Sequence, residues 1–163
     1  MRLVVISDTH MPFNADSFPE QLIKDIKKSD LVLHAGDLVD LDVLAEIEKI
    51  KPVVAVAGNM DTAQTKKILQ EKRILKLHGF NIGLIHGWGP AHSVLKKVIN
   101  EFKEIKDLDC VVYGHTHNAS VDNIDGVIYF NPGSLTDKTF ALYNSYGILE
   151  LTEKINPRIV KID

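Results

Sequence analysis

The chain has 163 residues, 45% of them hydrophobic and 25% charged, with a formal net charge of -3. That size and apolar content suit one globular domain, expected over residues 1–163, and exclude a fibrous or disordered chain. The slight acidic excess and the scattered lysine pairs exclude the basic stripe of a dedicated nucleic-acid binder.

The first element is the apolar run Leu3-Val4-Val5-Ile6, which ends abruptly in Ser7-Asp8-Thr9-His10. Such a run predicts a central strand buried on both faces. It is too short for a signal-peptide core or a membrane span, so a cytoplasmic protein is expected. Ser17-Phe18-Pro19-Glu20 reads as a capping box with Ser17 as N-cap, opening a helix with Leu22, Ile23 and Ile26 on one face. Leu31-Val32-Leu33 predicts a second buried strand leading into His34-Ala35-Gly36-Asp37, and a second amphipathic helix carries Leu41, Leu44 and Ile47. A third strand over residues 53–57 opens into Gly58-Asn59-Met60-Asp61, where Asp61 is expected to cap the next helix. Strand, helix, strand, helix, strand is the signature of a parallel sheet with crossover helices.

The pattern then changes. Residues 74–77 and 81–85 around a His78-Gly79 turn predict a hairpin whose second arm runs into His86-Gly87-Trp88-Gly89-Pro90. Residues 91–106 place Val94, Leu95, Val98, Ile99, Phe102 and Ile105 at helical spacing. The run Cys110-Val111-Val112-Tyr113 follows, its lone cysteine reading as a small buried hydrophobe. It leads into Gly114-His115-Thr116-His117. Alternate side chains of an extended segment share a side, so His115 and His117 are expected to face one pocket. Residues 120–123 and 127–130 form a second hairpin signal, Asn131-Pro132-Gly133-Ser134 is a loop, and residues 141–143, 147–151 and 158–162 read as short antiparallel strands. The order predicts an α/β domain with two sheets, the first largely parallel and the second mixed or antiparallel.

Five apolar strands thus each run into a loop bearing potential ligands: Asp8 and His10, Asp37, Asn59, His86, then His115 and His117. In open α/β sheets, sites form beyond the carboxyl ends of strands. Nitrogen and oxygen donors without thiolate suit Mn, Fe, Co, Ni or Zn. Seven donors exceed the needs of one tetrahedral ion and fit two ions about 3.5–4 Å apart. Two divalent cations against two carboxylates leave a net positive site, which should attract an anion such as a phosphate ester.

As an ordered set, Asp8-Thr9-His10, Gly36-Asp37, Gly58-Asn59, His86-Gly87 and Gly114-His115-Thr116-His117 resemble the five motifs of the calcineurin-like metallophosphoesterases. The short chain, with Asn131-Pro132-Gly133-Ser134 near its end, is similar to their small bacterial and archaeal phosphodiesterase branch. The resemblance implies an α/β two-sheet sandwich flanked by helices and a binuclear centre. One ion would be bound by Asp8, His10, Asp37 and His117, the other by Asp37, Asn59, His86 and His115, with Asp37 bridging. Mn²⁺ or Ni²⁺ is expected, with Fe, Co or Zn also suited to the donors. Asp37, Asn59 and His86 would carry catalysis, a hydroxide between the ions attacking phosphorus because coordination lowers the pKa of water to roughly 7. Asn59, Asn131 and Ser134 are the expected substrate-binding residues. The implied partner is a small phosphate ester, with no membrane or nucleic acid, and a homo-oligomer is compatible.

Larger phosphatases of the family carry histidine after the Gly-Asn pair, where this chain has Met60, and a thioether cannot donate a proton. His92 is a candidate substitute. The rival reading is a non-catalytic scaffold of the same fold, like the small subunit of the retromer coat, which has lost part of the ligand set; here all seven donors are present. His34 is expected as a hydrogen-bonded core residue, His78 as a turn residue, and Trp88 and Phe13 as packed rather than stacking aromatics.

Overall fold

The computed structural model describes residues 1–137 and 139–162. In chain order the elements are β1 (Arg2–Ile6), α1 (Glu20–Lys27), β2 (Leu31–His34), α2 (Asp42–Glu48), β3 (Val53–Ala55), α3 (Ala63–Ile68), β4 (Lys72–Leu77), β5 (Phe80–Ile85), α4 (Ala91–Phe102), β6 (Cys110–Val112), β7 (Ser120–Ile124), β8 (Val127–Asn131), β9 (Ser145–Leu151) and β10 (Ile155–Lys161). They form two five-stranded sheets, ordered β10-β9-β1-β2-β3 and β4-β5-β6-β8-β7. In the first, β1, β2 and β3 are parallel, while β9 and β10 add antiparallel strands at one side. In the second, β5, β6 and β8 are parallel, and β4 and β7 are antiparallel edges. The predicted two-sheet α/β sandwich is therefore the architecture found, with both sheets mixed.

Strand alternation builds the layers. Leu3 and Val5 of β1 meet Leu33 of β2, Ile82 and Leu84 of β5 and Val112 of β6 in the core between the sheets. Val4 and Ile6 point the other way, onto Leu22 and Ile26 of α1 and Val43 and Ile47 of α2. Val111 turns outward to Val94, Val98 and Phe102 of α4. Cys110 is fully buried, and burial in this apolar layer pushes its thiol far above the ordinary range, so it behaves as the small hydrophobe expected.

Three local expectations are corrected. Ser17 does not cap α1: the helix starts at Glu20 with an extended Pro19 at its N-cap and no side-chain cap. Proline disfavours helical geometry in the residue before it, so the helix cannot reach back through Phe18. Asp61 does not cap α3 either; Thr62 does, its hydroxyl accepting from Thr65 N–H at 3.2 Å. Residues 141–143 form no strand, because their backbone donors are taken by side chains: Ala141 N–H by Asp137 at 3.0 Å and Leu142 N–H by Asn118 at 3.4 Å.

Candidate metal centre

The parallel strands β1, β2, β5 and β6 deliver their C-terminal loops to one edge, and the seven expected ligands sit on these loops and the one after β3. Five of them, Asp8, His10, Asp37, His115 and His117, have left-handed backbones, with φ of 52°, 43°, 57°, 69° and 60°. Asp and His enter this region more readily than most residues, yet each still costs on the order of 1 kcal/mol. The expectation that His115 and His117 alternate along a strand is therefore corrected. β6 ends at Val112, and both histidines reach the pocket from a coiled loop.

Two clusters emerge. His10 Nε2 and His117 Nε2 are 3.4 Å apart, and Asp8 Oδ1 lies 3.3 Å from His117 Nε2 and 3.9 Å from His10 Nε2. On the other side Asn59 Oδ1 lies 3.1 Å from His86 Nε2 and 2.9 Å from His115 Nδ1, and Asp37 Oδ2 lies 3.2 Å from His86 Nε2. Asp37 Oδ2 is also 3.9 Å from His10 Nε2, so this carboxylate faces both clusters. Asp8 Oδ1 is fully buried and has no hydrogen-bond partner.

The opposite ring nitrogens show which atoms turn inward, where a cation would take the place of a proton. His86 Nδ1–H donates to Ala35 O at 2.7 Å and His115 Nε2–H donates to Gly89 O at 2.8 Å. His117 Nδ1–H donates to Asp137. Three imidazoles are thus oriented by outer acceptors, the arrangement that metal-binding histidines use. Their inner nitrogens, the Asn59 oxygen and the carboxylates would repel one another unless positive charge lies between them. The donor set therefore fits divalent cations.

The electrostatics agree. Burial disfavours the charged form of Asp8, but the close approach of His117, the charge of His86 and the Ser7 hydroxyl outweigh it, holding its carboxyl at about 2. Burial also opposes charge on His86 and His117, yet Asp37 and Asp8 beside the first, and Asp8 and Asp137 beside the second, drive each up to about 9. The field that charges two imidazoles is the field that would hold metal cations.

Asp137 escaped sequence reading. It lies in an acid-bearing loop just after Asn131-Pro132-Gly133-Ser134, and it accepts from the N–H groups of Thr139 and Ala141 while orienting His117. Asn131 and Ser134 are fully buried beneath the ligand loops. Asn131 donates to Gly114 O and Thr116 Oγ1, both at 3.0 Å, and Ser134 donates to Asp8 O at 2.8 Å. Asp61 accepts from Val39 N–H at 2.6 Å and Gly58 N–H at 2.7 Å, tying the loops of Asp37 and Asn59 together. His92 is exposed on the first turn of α4, and Met60 is 58% exposed. Phe13 and Trp88 are 77% and 43% exposed, so the packing expected of them is not what the fold does.

His34 is the buried core residue expected. Its Nδ1 accepts from Gly36 N–H at 3.1 Å, which leaves Nε2–H to donate to Thr9 Oγ1 at 3.1 Å. Burial keeps it neutral, lowering its pKa to about 3, with the charge of Asp8 resisting only partly. Between pH 6.5 and 3 the unfolded chain binds a proton here that the folded chain refuses, so stability falls as pH falls through that window. A urea-unfolding comparison of wild type and His34→Gln should show the stability difference between them shrinking by about 1.4 kcal/mol per pH unit from pH 6 to 4. Parallel pH dependences would contradict it.

A family model for the calcineurin-like phosphoesterase superfamily domain matches residues 1–154. The chain belongs to this superfamily. It is 32% identical to a probable metallophosphoesterase of Methanothermobacter thermautotrophicus over 99% of this chain and 92% of that one. Among solved structures, an archaeal phosphodiesterase superposes with a TM-score of 0.77 at 26% identity, covering 99% of this chain and 100% of that one. Entamoeba histolytica Vps29, solved as a zinc complex, superposes with a TM-score of 0.73 over 99% of each chain, at 24% identity, and shares the fold. Relatives named as probable metallophosphoesterases and as a phosphodiesterase support a metal-dependent phosphoester hydrolase. Among the described residues no helix is long and apolar enough to cross a membrane.

Proposed function

We propose that the protein is a two-metal phosphodiesterase, one domain over residues 1–163, acting on a small phosphate ester in the cytoplasm. The observation that carries this reading is the buried, unpartnered Asp8 Oδ1 within reach of histidines from both donor clusters. Asp8, His10, Asp37 and His117 would hold one ion and Asp37, Asn59, His86 and His115 the other, Mn²⁺ or Ni²⁺ fitting the nitrogen and oxygen donors. Such ions would supply an acidified nucleophilic water and Lewis-acid stabilisation of charge on phosphorus oxygens.

The chain's own residues do the rest. Asp37 is held at Oδ1 by Met60 N–H at 2.7 Å, which leaves Oδ2 free to face both clusters. Asn59 turns its amide oxygen to the site and keeps its NH2 for a phosphate oxygen. Asn131 and Ser134 serve the phosphate indirectly, by holding the loops of His115 and Asp8. Met60 supplies no proton, so esters with poor leaving groups should be the slow ones.

The test is reconstitution with Mn²⁺ or Ni²⁺, metal counting, and assay on p-nitrophenyl phosphate and bis(p-nitrophenyl) phosphate. Wild type should bind two ions per chain and prefer the diester. His115→Ala and His117→Ala should each lose a different ion, separable by titration because one cluster remains whole in each. A wild type that binds fewer than two ions and hydrolyses neither ester would leave a scaffold of the same fold as the better reading.

A further inference from the structure

A cavity of about 630 Å³ opens directly off the metal centre, on the side of Asn59 and His86. Its other walls include Trp88, Gly87, Lys66 and Lys72. Trp88 is the only tryptophan in the chain, and it stays 43% exposed although large aromatics gain most from burial. Gly87 and Gly89 flank it with φ of 93° and 88°, left-handed values that turn the chain on both sides of the indole. The loop is fastened to the site: Gly89 O accepts from His115, and Trp88 O accepts from Lys97 Nζ at 3.3 Å. Trp88 is thus held at the rim of the centre by one of its own candidate ligands.

The charges in the cavity differ in kind. Lys72 is paired with Glu101 at 2.6 Å, and Glu71 adds a second carboxylate to the wall. Lys66 extends from α3 and donates to the backbone oxygen of Asn59 at 2.6 Å, and among the described residues no carboxylate pairs with it. An ammonium therefore stands next to a candidate ligand, in the same cavity as a half-exposed indole whose ring centroid lies 6.0 Å from Lys97 Nζ.

We propose that this cavity is the subsite for one ester group of the substrate and that it selects a flat aromatic group, aryl or nucleobase. The ring lies against Trp88, and Lys66, held at the backbone of Asn59, supplies positive charge beside the phosphate. The inference rests on the phosphodiesterase reading for the phosphate, and on Trp88 and Lys66 for the ring and the charge. Aromatic stacking is worth enough to set a preference on the order of tenfold.

The lone tryptophan supplies its own probe. Titration of the metal-loaded protein with diphenyl phosphate should quench Trp88 fluorescence saturably, at concentrations about tenfold below those needed for dimethyl phosphate. Trp88→Ala should lose about tenfold in kcat/KM on bis(p-nitrophenyl) phosphate, mostly through KM, with Trp88→Phe recovering most of it. Lys66→Gln should raise the diphenyl phosphate concentration needed for half quenching several-fold, with Lys66→Arg restoring it. Equal quenching by the two phosphates, or a Trp88→Ala variant as efficient as wild type on the diester, overturns the subsite while leaving hydrolysis intact. Tight quenching by diphenyl phosphate in a wild type that hydrolyses no ester would instead support the aromatic subsite and remove the hydrolase reading beneath it.

Discussion

Asp37→Ala should bind at most one divalent ion per chain and hydrolyse bis(p-nitrophenyl) phosphate roughly 10³-fold more slowly than wild type. Asp8 Oδ1 also comes within 3.9 Å of His86, but Asp37 makes the closer approach to that cluster. Its Oδ2 lies 3.2 Å from His86 and 3.9 Å from His10, so it faces both donor clusters, and only 2% of its surface is exposed. Removing it leaves Asp8 as the single remaining negative charge among the candidate ligands, against two divalent cations. Asp37→Asn separates charge from shape, because an amide oxygen can still accept from Met60 N–H. The asparagine variant should keep wild-type thermal stability without added metal and still lose most activity. Metal analysis beside the diester assay checks both, and an Asp37→Ala protein that retains two ions would refute the bridging role.

The second large effect needs no ligand change. Gly58→Ala should lose the metal centre and be destabilised by about 2–3 kcal/mol, lowering the melting temperature by roughly 6–10 °C. A Cβ on Gly58 would stand 2.2 Å from Asp37 Oδ1 and 2.3 Å from the Asp37 backbone nitrogen. Neither atom can retreat: the carboxylate is pinned by Met60 N–H, and the two loops are clamped by Asp61. Gly126→Ala is the control, since an added Cβ there meets nothing within 4 Å. It should lose only about 1 kcal/mol from its left-handed φ and keep its metals and its rate. Melting curves with metal counts distinguish the two variants.

The site's inventory was legible because each parallel strand is an unbroken apolar run that stops at a polar loop, as Leu3-Val4-Val5-Ile6 stops at Ser7-Asp8. Such boundaries mark strand ends, and strand ends of a common direction share an edge. The way the ligands reach the site was not legible. His115-Thr116-His117 carries the period-two spacing of a strand, but the hydrogen bond from His115 N–H to Asp8 Oδ2 at 3.0 Å and the left-handed φ values place it in a coil. Asp137 was hidden because its partner His117 lies 20 residues away, joined by tertiary contact alone. Ser17 and residues 141–143 misled for local reasons: proline geometry in one case, and backbone donors captured by side chains in the other.

The left-handed turns under five of the seven ligands bear on how such a centre can be lost. At those positions the backbone admits few occupants, chiefly asparagine, aspartate, histidine and glycine. A drift from Asp8 or Asp37 to asparagine, or from His10 to glycine, respects the turn and so spares the sandwich, yet each removes a charge or a donor that metals require. Mutation therefore meets less resistance along routes that extinguish chemistry than along routes that break the architecture. A lineage built on this scaffold can fall silent as a catalyst and persist as a shape.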